Sequence, residues 1–328
     1  MEFRTKIERL PSKEKIGYSS PVMFIGSCFA DDIGRQFLNG KMNVLINPFG
    51  VLYNPMSAAR ALELIMEGAQ FRKEDLHFFD NRYLSFYHDT SFSSSNYEIS
   101  LEKINNSISE AHNFLRSATN LFVTFGTAWV YRWKDNSEVV ANCHKIPAAR
   151  FTRHLLKTED IVRRWIKIVS DLNVYNSNLN IVLTVSPVRH LKDGAHGNQV
   201  SKSTLIVAIE ELISANKNLS YFPSYEILLD ELRDYRFYDK DMVHPSDTAI
   251  DYIWQGFKET YFTSDTSTVY DRVSKITEAT RHIVISSEKE DIIKFRNSML
   301  ERIKKIKDEY PFINLDEEEN YFNNLILK

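Results

Sequence analysis

Cysteine is scarce in this chain, with only Cys28 and Cys143 among 328 residues. One pair in a chain of this size is no disulfide framework, so an ordinary apolar core must carry the fold. The other uses of the pair would be a mutual disulfide or a shared metal. Glycine (10) and proline (9) are sparse too. No Gly-rich phosphate loop of the dinucleotide or Walker type occurs, so no nucleotide cofactor is read. Neither sign of charge dominates: 41 Lys and Arg face 44 Asp and Glu, a net charge of -3. That balance gives no global pull toward nucleic acid or an anionic membrane. Long apolar runs are missing as well, and none approaches the roughly eighteen residues of a membrane span. The opening Met1-Glu-Phe-Arg-Thr-Lys6 has neither the apolar core nor the cleavage signature of a signal peptide. These absences lead us to expect a soluble, cytoplasmic protein. What the chain does have is 43% hydrophobic and 12% aromatic residues, enough for a sizeable core. Its length fits one large α/β domain or two domains.

The stretch from Pro21 to Gly34 organises the rest. Val22 to Ile25 is a short apolar run of the kind buried on both faces of a parallel sheet. Gly26 breaks it, after which Phe29, Ile33 and Phe37 fall four apart, the apolar stripe of a helix. Asp31 and Asp32 suit the first turn of that helix, and Gly40 its end. Strand, tight turn and helix place Ser27 and Cys28 at the carboxyl edge of a sheet, where open α/β folds bind ligands. A hydroxyl and a thiol side by side there are candidate nucleophiles.

The same pattern repeats along the chain. Residues 43–46, 121–125, 180–187 and 219–222 read as further buried strands, with 180–187 closed by Pro187. Helical spacing is predicted over 57–67, 101–116, 157–169, 201–216 and 245–261. Alternation of this kind argues for a three-layer α/β/α fold, a doubly wound and mostly parallel five-stranded sheet. Residues 1–20 read as an N-terminal arm, 21–262 as the catalytic domain and 263–328 as a C-terminal helical extension. The stripe Ile292, Phe295, Met299, Ile303 and Ile306 in that extension must pack on the core or form a homodimer with a second copy. The acidic run Asp316–Glu319 reads as a solvated face. Residues 71–95 read as an irregular aromatic loop near the catalytic edge.

Two further stretches carry chemistry-bearing residues. In Asp241-Met-Val-His244-Pro-Ser246, Pro245 fits the first helical position and leaves His244 on a loop, free to point across the sheet edge. Asp241, three residues earlier, can hold the ring nitrogen not used for proton transfer. Arg189 to His196 follows the fourth strand; its basic groups suit an anionic part of a substrate or simply a solvated loop. His190 and His196 lack ligands at metal spacing, so no metal site is read.

The segment Phe24-Ile-Gly-Ser-Cys-Phe-Ala30 resembles the eponymous motif of the GSCFA family, a branch similar to the SGNH/GDSL esterases. The likeness extends to Asn47–Asn54, Phe125–Val130, Ala141–Pro147 and Asp241–Ser246, and so spans residues 20 to 260. The resemblance implies an acyl-ester hydrolase of SGNH type, with a covalent acyl-enzyme and an O-acylated, carbohydrate-like substrate. It leaves open an O-acyltransferase that moves acetyl from coenzyme A to a glycan, and an inactive binding module on the same fold. In register with the GDSL nucleophile, two residues after the glycine, the attacking group is Cys28; Ser27 remains the alternative. A thiol at a helix N-terminus beside a histidine is expected to have its thiolate favoured. His244 is then general base and acid, and Asp241 its orienting partner. Oxyanion and substrate contacts are expected from Gly50, Gly126, Asn142 and His144. Ala128 stands where the family relatives carry an oxyanion asparagine, so Asn142 is the substitute.

Overall fold

A computed structural model describes residues 5–9, 11–281 and 289–325. In chain order the strands are β1 (Val22–Gly26), β2 (Val44–Ile46), β3 (His77–Phe79), β4 (Arg82–Leu84), β5 (Asn120–Phe125), β6 (Trp129–Trp133), β7 (Val139–Val140), β8 (Phe151–Leu155), β9 (Asn180–Val185) and β10 (Leu219–Tyr221). The helices are α1 (Cys28–Asn39), α2 (Pro55–Glu67), α3 (Tyr97–Ser117), α4 (Thr158–Tyr175), α5 (Gly194–Ala215), the single turn α6 (Ser224–Glu226), α7 (Asp247–Tyr261), α8 (Ser264–Ala279), α9 (Lys289–Glu309) and α10 (Asp316–Asn323).

The main sheet is parallel, in the order β10-β9-β5-β1-β2. Its five strands are those the apolar runs predict. Each central strand is buried on both faces, and alternate residues feed two cores. Met23 and Ile25 join the core under α2 to α5, with Leu62, Ile108, Trp165 and Leu205. Val22 and Phe24 join the other, with Phe37 of α1 and Phe257 of α7. The result is three layers, α/β/α.

The C-terminal stripe packs into this second core. Met299, Ile303 and Ile306 are buried there with Val273, Ile276 and Phe322. Ile303 is fully buried within its own chain, which removes the reason for expecting a second copy. The predicted helical spacing splits into α8 and α9, and residues 282–288 lie outside the described residues. The acidic run is largely a solvated face, with Asp316 and Glu317 exposed and only Glu318 buried. Glu317 and Glu318 pair with Lys41, and Asp316 and Glu319 pair with Lys307.

The arm also lies on the core, with Ile16 bridged to Phe262 and fully buried. Two small antiparallel elements stand beyond the main sheet, the hairpin β3–β4 and the three-stranded sheet β7-β6-β8. A separate cluster holds them together through Leu84, Phe86, Val140, Ile146 and Phe151.

Candidate active site

In the main sheet the chain runs from β1 outward to β2, then crosses back to β5 on the far side of β1. Strand order therefore reverses between β1 and β5, and such switch points open a crevice at the carboxyl edge. Gly26 ends β1 with φ +141, where a Cβ would collide with the Thr124 carbonyl of β5. Only glycine turns the chain here. Asn47 braces the turn: its Oδ1 accepts from the Gly26 amide (2.7 Å) and its Nδ2 donates to Asp31 Oδ1 (2.6 Å). Ser27 then sits at the N-cap of α1 and Cys28 is its first residue.

The two candidate nucleophiles part company at this turn. Ser27 is fully buried, and its Oγ finds no partner. Cys28 opens onto a cavity of about 440 Å³, whose wall also carries Tyr53, Trp129, Asn142, His190 and His244.

His244 reaches the cavity from the loop before α7. Asp241 Oδ1 accepts the amides of Val243 (2.8 Å) and His244 (2.9 Å), and its Oδ2 meets His244 Nδ1 at 2.6 Å. A carboxylate only accepts, so Nδ1 carries the proton and Nε2 is the basic nitrogen. The His244 backbone amide, then its ring, hold Asp241 down to about 2. The helix start differs from the sequence expectation. Ser246, not His244 or Pro245, caps α7 through the Ala249 amide, while Pro245 bridges to Tyr238. Val243 O accepts the Arg189 amide (3.0 Å), tying this loop to the one after β9.

The electrostatics reverse one expectation. Burial, then the carboxylate of Asp32, lifts the Cys28 thiol to about 11, with Asp31 adding to the rise. The amides of Phe29 and Cys28 pull the other way and are outweighed. The helix N-terminus therefore leaves a resting thiol rather than a thiolate. Asp32 is itself raised to about 6 by burial, and Arg35, then His244, draw it back.

The other expected contacts divide. Asn142 lines the cavity, and its Oδ1 accepts the His144 amide (2.8 Å). Gly50 and Gly126 spend their amides internally, on Asn47 O (2.7 Å) and Tyr53 O (2.9 Å). Gly126 serves close packing instead, because a Cβ there would lie 3.3 Å from Ser27 Cβ and 3.4 Å from His190 Nε2. His144 turns away from the cavity, its Nε2 2.8 Å from Ser85 O among the aromatic residues of the insert. His196 is exposed on α5.

Sequence reasoning weighed His190 only as a metal ligand or part of a basic loop, and it passed over two further groups of residues. His190 lies edge-on to Tyr53, its Nε2 buried without a partner, and burial keeps it neutral at about 4. Arg153 stacks over Trp129 (4.1 Å) and forms a fork with Asp193 (2.5 Å at both nitrogens), building a cationic, aromatic wall. Asn198, Ser201 and Lys202 of α5 clamp the site from beneath. Asn198 Oδ1 accepts the His190 amide (2.9 Å), Ser201 Oγ accepts the Ala128 amide (2.8 Å), and Lys202 Nζ donates to Gly126 O (2.7 Å) and Ser186 O (2.6 Å). Their signal was present, since polar residues at this spacing continue the buried stripe Leu205, Ala208, Ile209 and Leu212. Among the described residues, no group of three or more His, Cys, Asp or Glu is placed to hold a metal ion. Nor, among them, is any helix long and apolar enough to cross a membrane.

The GSCFA family matches residues 21–257, nearly three-quarters of the sequence. The chain belongs to the GSCFA family. No curated protein matches it. Among solved structures it is similar to one described as "The structure of a putative platelet activating factor from Streptococcus pneumonia", at 14% identity and a TM-score of 0.38. That likeness covers 74% of this chain and 83% of the other, and at such a score it adds nothing to the reading of the site.

Proposed function

We propose that this GSCFA protein is an acyl-ester hydrolase of SGNH type that works through a covalent acyl-enzyme. The observation that carries the reading is one cavity at the switch point shared by Cys28 and His244, with His244 held at Nδ1 by Asp241. Nucleophile, base and orienting acid are the three parts acyl transfer requires.

The raised thiol makes deprotonation part of the attack. Cys28 Sγ bonds to the ester carbonyl carbon while its proton passes to His244 Nε2. Collapse of the tetrahedral adduct breaks the bond to the alcohol oxygen, which takes that proton from His244. Water, with His244 again as base, then cleaves the thioester and returns the thiol. Asp241 keeps the ring in the right tautomer and favours the imidazolium formed at each step. The first amides of α1 and Asn142 are the oxyanion donors in this reading, since Gly50 and Gly126 have none to spare. Ser27 is left out because its hydroxyl is sealed from the cavity.

The wall suits an O-acylated carbohydrate. Trp129, Tyr131 and Tyr53 offer faces for a sugar ring, and Arg189 and Lys192 suit an anionic substituent. Hydrolysis of a chromogenic acetyl ester, measured for wild type, Cys28→Ala and His244→Ala, tests the reading. Turnover lost in both variants supports it. Turnover faster with an added sugar acceptor would instead identify a transferase. If the wild type neither turns over nor labels with an ester-reactive probe, the chain is a binding module and the proposal fails.

A further inference from the structure

A second concave patch lies apart from the candidate active site, in the groove between α8 and α9. The cavity measures about 300 Å³ and is lined by Arg272 and Lys275 of α8 and by Arg302, Lys305 and Ile306 of α9. That volume stands at the lower end of small-molecule sites. Four of the five lining residues are cations and none is an acid, in a chain whose net charge is -3. Residues three apart on a helix are neighbours, so Arg272 with Lys275, and Arg302 with Lys305, are two repelling pairs. Two carboxylates outside the lining relieve part of this, Glu309 on Arg272 at 2.5 Å and Glu301 on Lys305 at 2.8 Å. Among the described residues, Lys275 and Arg302 have no ion-pair partner. A merely solvated basic face would spread its cations around each helix. These four converge instead on one groove, with the buried Ile306 as its apolar floor.

We propose that this groove binds a small molecule through adjacent phosphate groups. The two guanidinium groups match phosphate oxygens as planar forks, and the two ammonium groups act as point charges. Four converging cations exceed what a single carboxylate needs and suit the charge of a diphosphate. Lys275 and Arg302 are the anchors, because neither has to leave an acid first. Arg272 and Lys305 then share their hold on Glu309 and Glu301 with the ligand. A concave groove fits such a molecule better than it fits a flat anionic membrane. Neither Cys28 nor His244 lines this groove, so the proposal stands apart from the acyl-transfer reading.

Calorimetric titration of the full chain with inorganic pyrophosphate, at fixed ionic strength, tests this. Saturable one-to-one binding is expected. Lys275 and Arg302 are exposed, so Lys275→Gln and Arg302→Gln should leave the fold intact. Each should weaken binding about tenfold, the loss of one charge-assisted hydrogen bond. ADP in a parallel titration identifies the source of the phosphates. Equal affinity assigns the site to the phosphates alone, and tighter binding assigns it to a nucleoside diphosphate. An affinity for both ligands weaker than about 1 mM overturns the proposal. Binding unchanged in both variants, or lost instead in Arg189→Gln on the wall of the candidate active site, overturns it equally. So does capture on vesicles of anionic lipid without binding of pyrophosphate. No arm uses an ester, so failure of the hydrolase reading would be seen separately.

Discussion

The thiol itself gives the sharpest check on the site. Burial and the two carboxylates of α1 hold Cys28 at about 11. At pH 7.5 that leaves roughly 300-fold less thiolate than an exposed cysteine of pKa near 8.5. Iodoacetamide reacts with the thiolate, so in Cys143→Ser protein the rate should climb about tenfold per pH unit and show no plateau below about pH 10. Restricted entry to the cavity scales the whole curve without moving its bend, and the bend is therefore the readout. Mass spectrometry of the Cys28 peptide gives the rate at each pH. Asp32→Asn removes a charge that opposes the thiolate and should speed alkylation at pH 8. A plateau below pH 9, or a rate at pH 7.5 within about threefold of a small free thiol, would refute this account. Cys28 would then be a preformed thiolate with no need of a base.

Four other outcomes follow from the same geometry. Asp241→Asn leaves a neutral partner at His244 Nδ1 and should cut kcat by about 10² to 10⁴ with little change in KM, measured on the chromogenic ester. Because Asp241 is held near 2, its support for His244 should persist from neutral pH down through the usual carboxylate range. Gly26→Ala forces a side chain into the Gly-only region at φ +141 and against Thr124, costing about 3 kcal/mol or more, seen as a lowered Tm and lost activity together. Ile303→Ala opens a hole in the core where α9 packs on α8 and α10 and should cost about 2–5 kcal/mol in urea unfolding. Folded Lys202 titrates near 7 rather than about 10.4, so the folded state binds fewer protons between these values. Stability should rise with pH across that window, and Lys202→Met should flatten the rise.

The layers were legible because β1, β5 and β9 are apolar on both faces, which leaves periodicity little to confuse. Gly26 and the Asp241–His244 spacing were legible for a different reason, since each is set by backbone within a few residues. The elements that escaped depend on distant partners. β6, β7 and β8 are two to five residues long and half exposed, so their pairing comes from one another and from Phe86 rather than from their own pattern. Arg189–His196 gave only charge and glycine, yet it runs through a short turn into α5 and buries the His190 ring under Tyr53. Gly50 and Gly126 illustrate the converse. Motif position marked both as donors, but the number of free amides at a turn is decided by which carbonyl the fold brings opposite.

Charge around Cys28 and His244 forms a pattern that no single residue explains. Asp31 and Asp32 oppose a thiolate, burial opposes it further, and the resting site is neutral at sulfur. Yet Asp32 is drawn toward its charged form by Arg35 and then by His244, so an imidazolium there would find both Asp241 and Asp32 as partners. In the proposed reaction the proton that leaves Cys28 therefore creates an imidazolium with carboxylates beside it, while the charge on sulfur is favoured by the first amides of α1. Such a site holds its reactive sulfur protonated until a base within the cavity takes the proton. In the proposed reaction such a cysteine depends on a base as a serine would, and the turnover rate should follow His244 rather than the thiol.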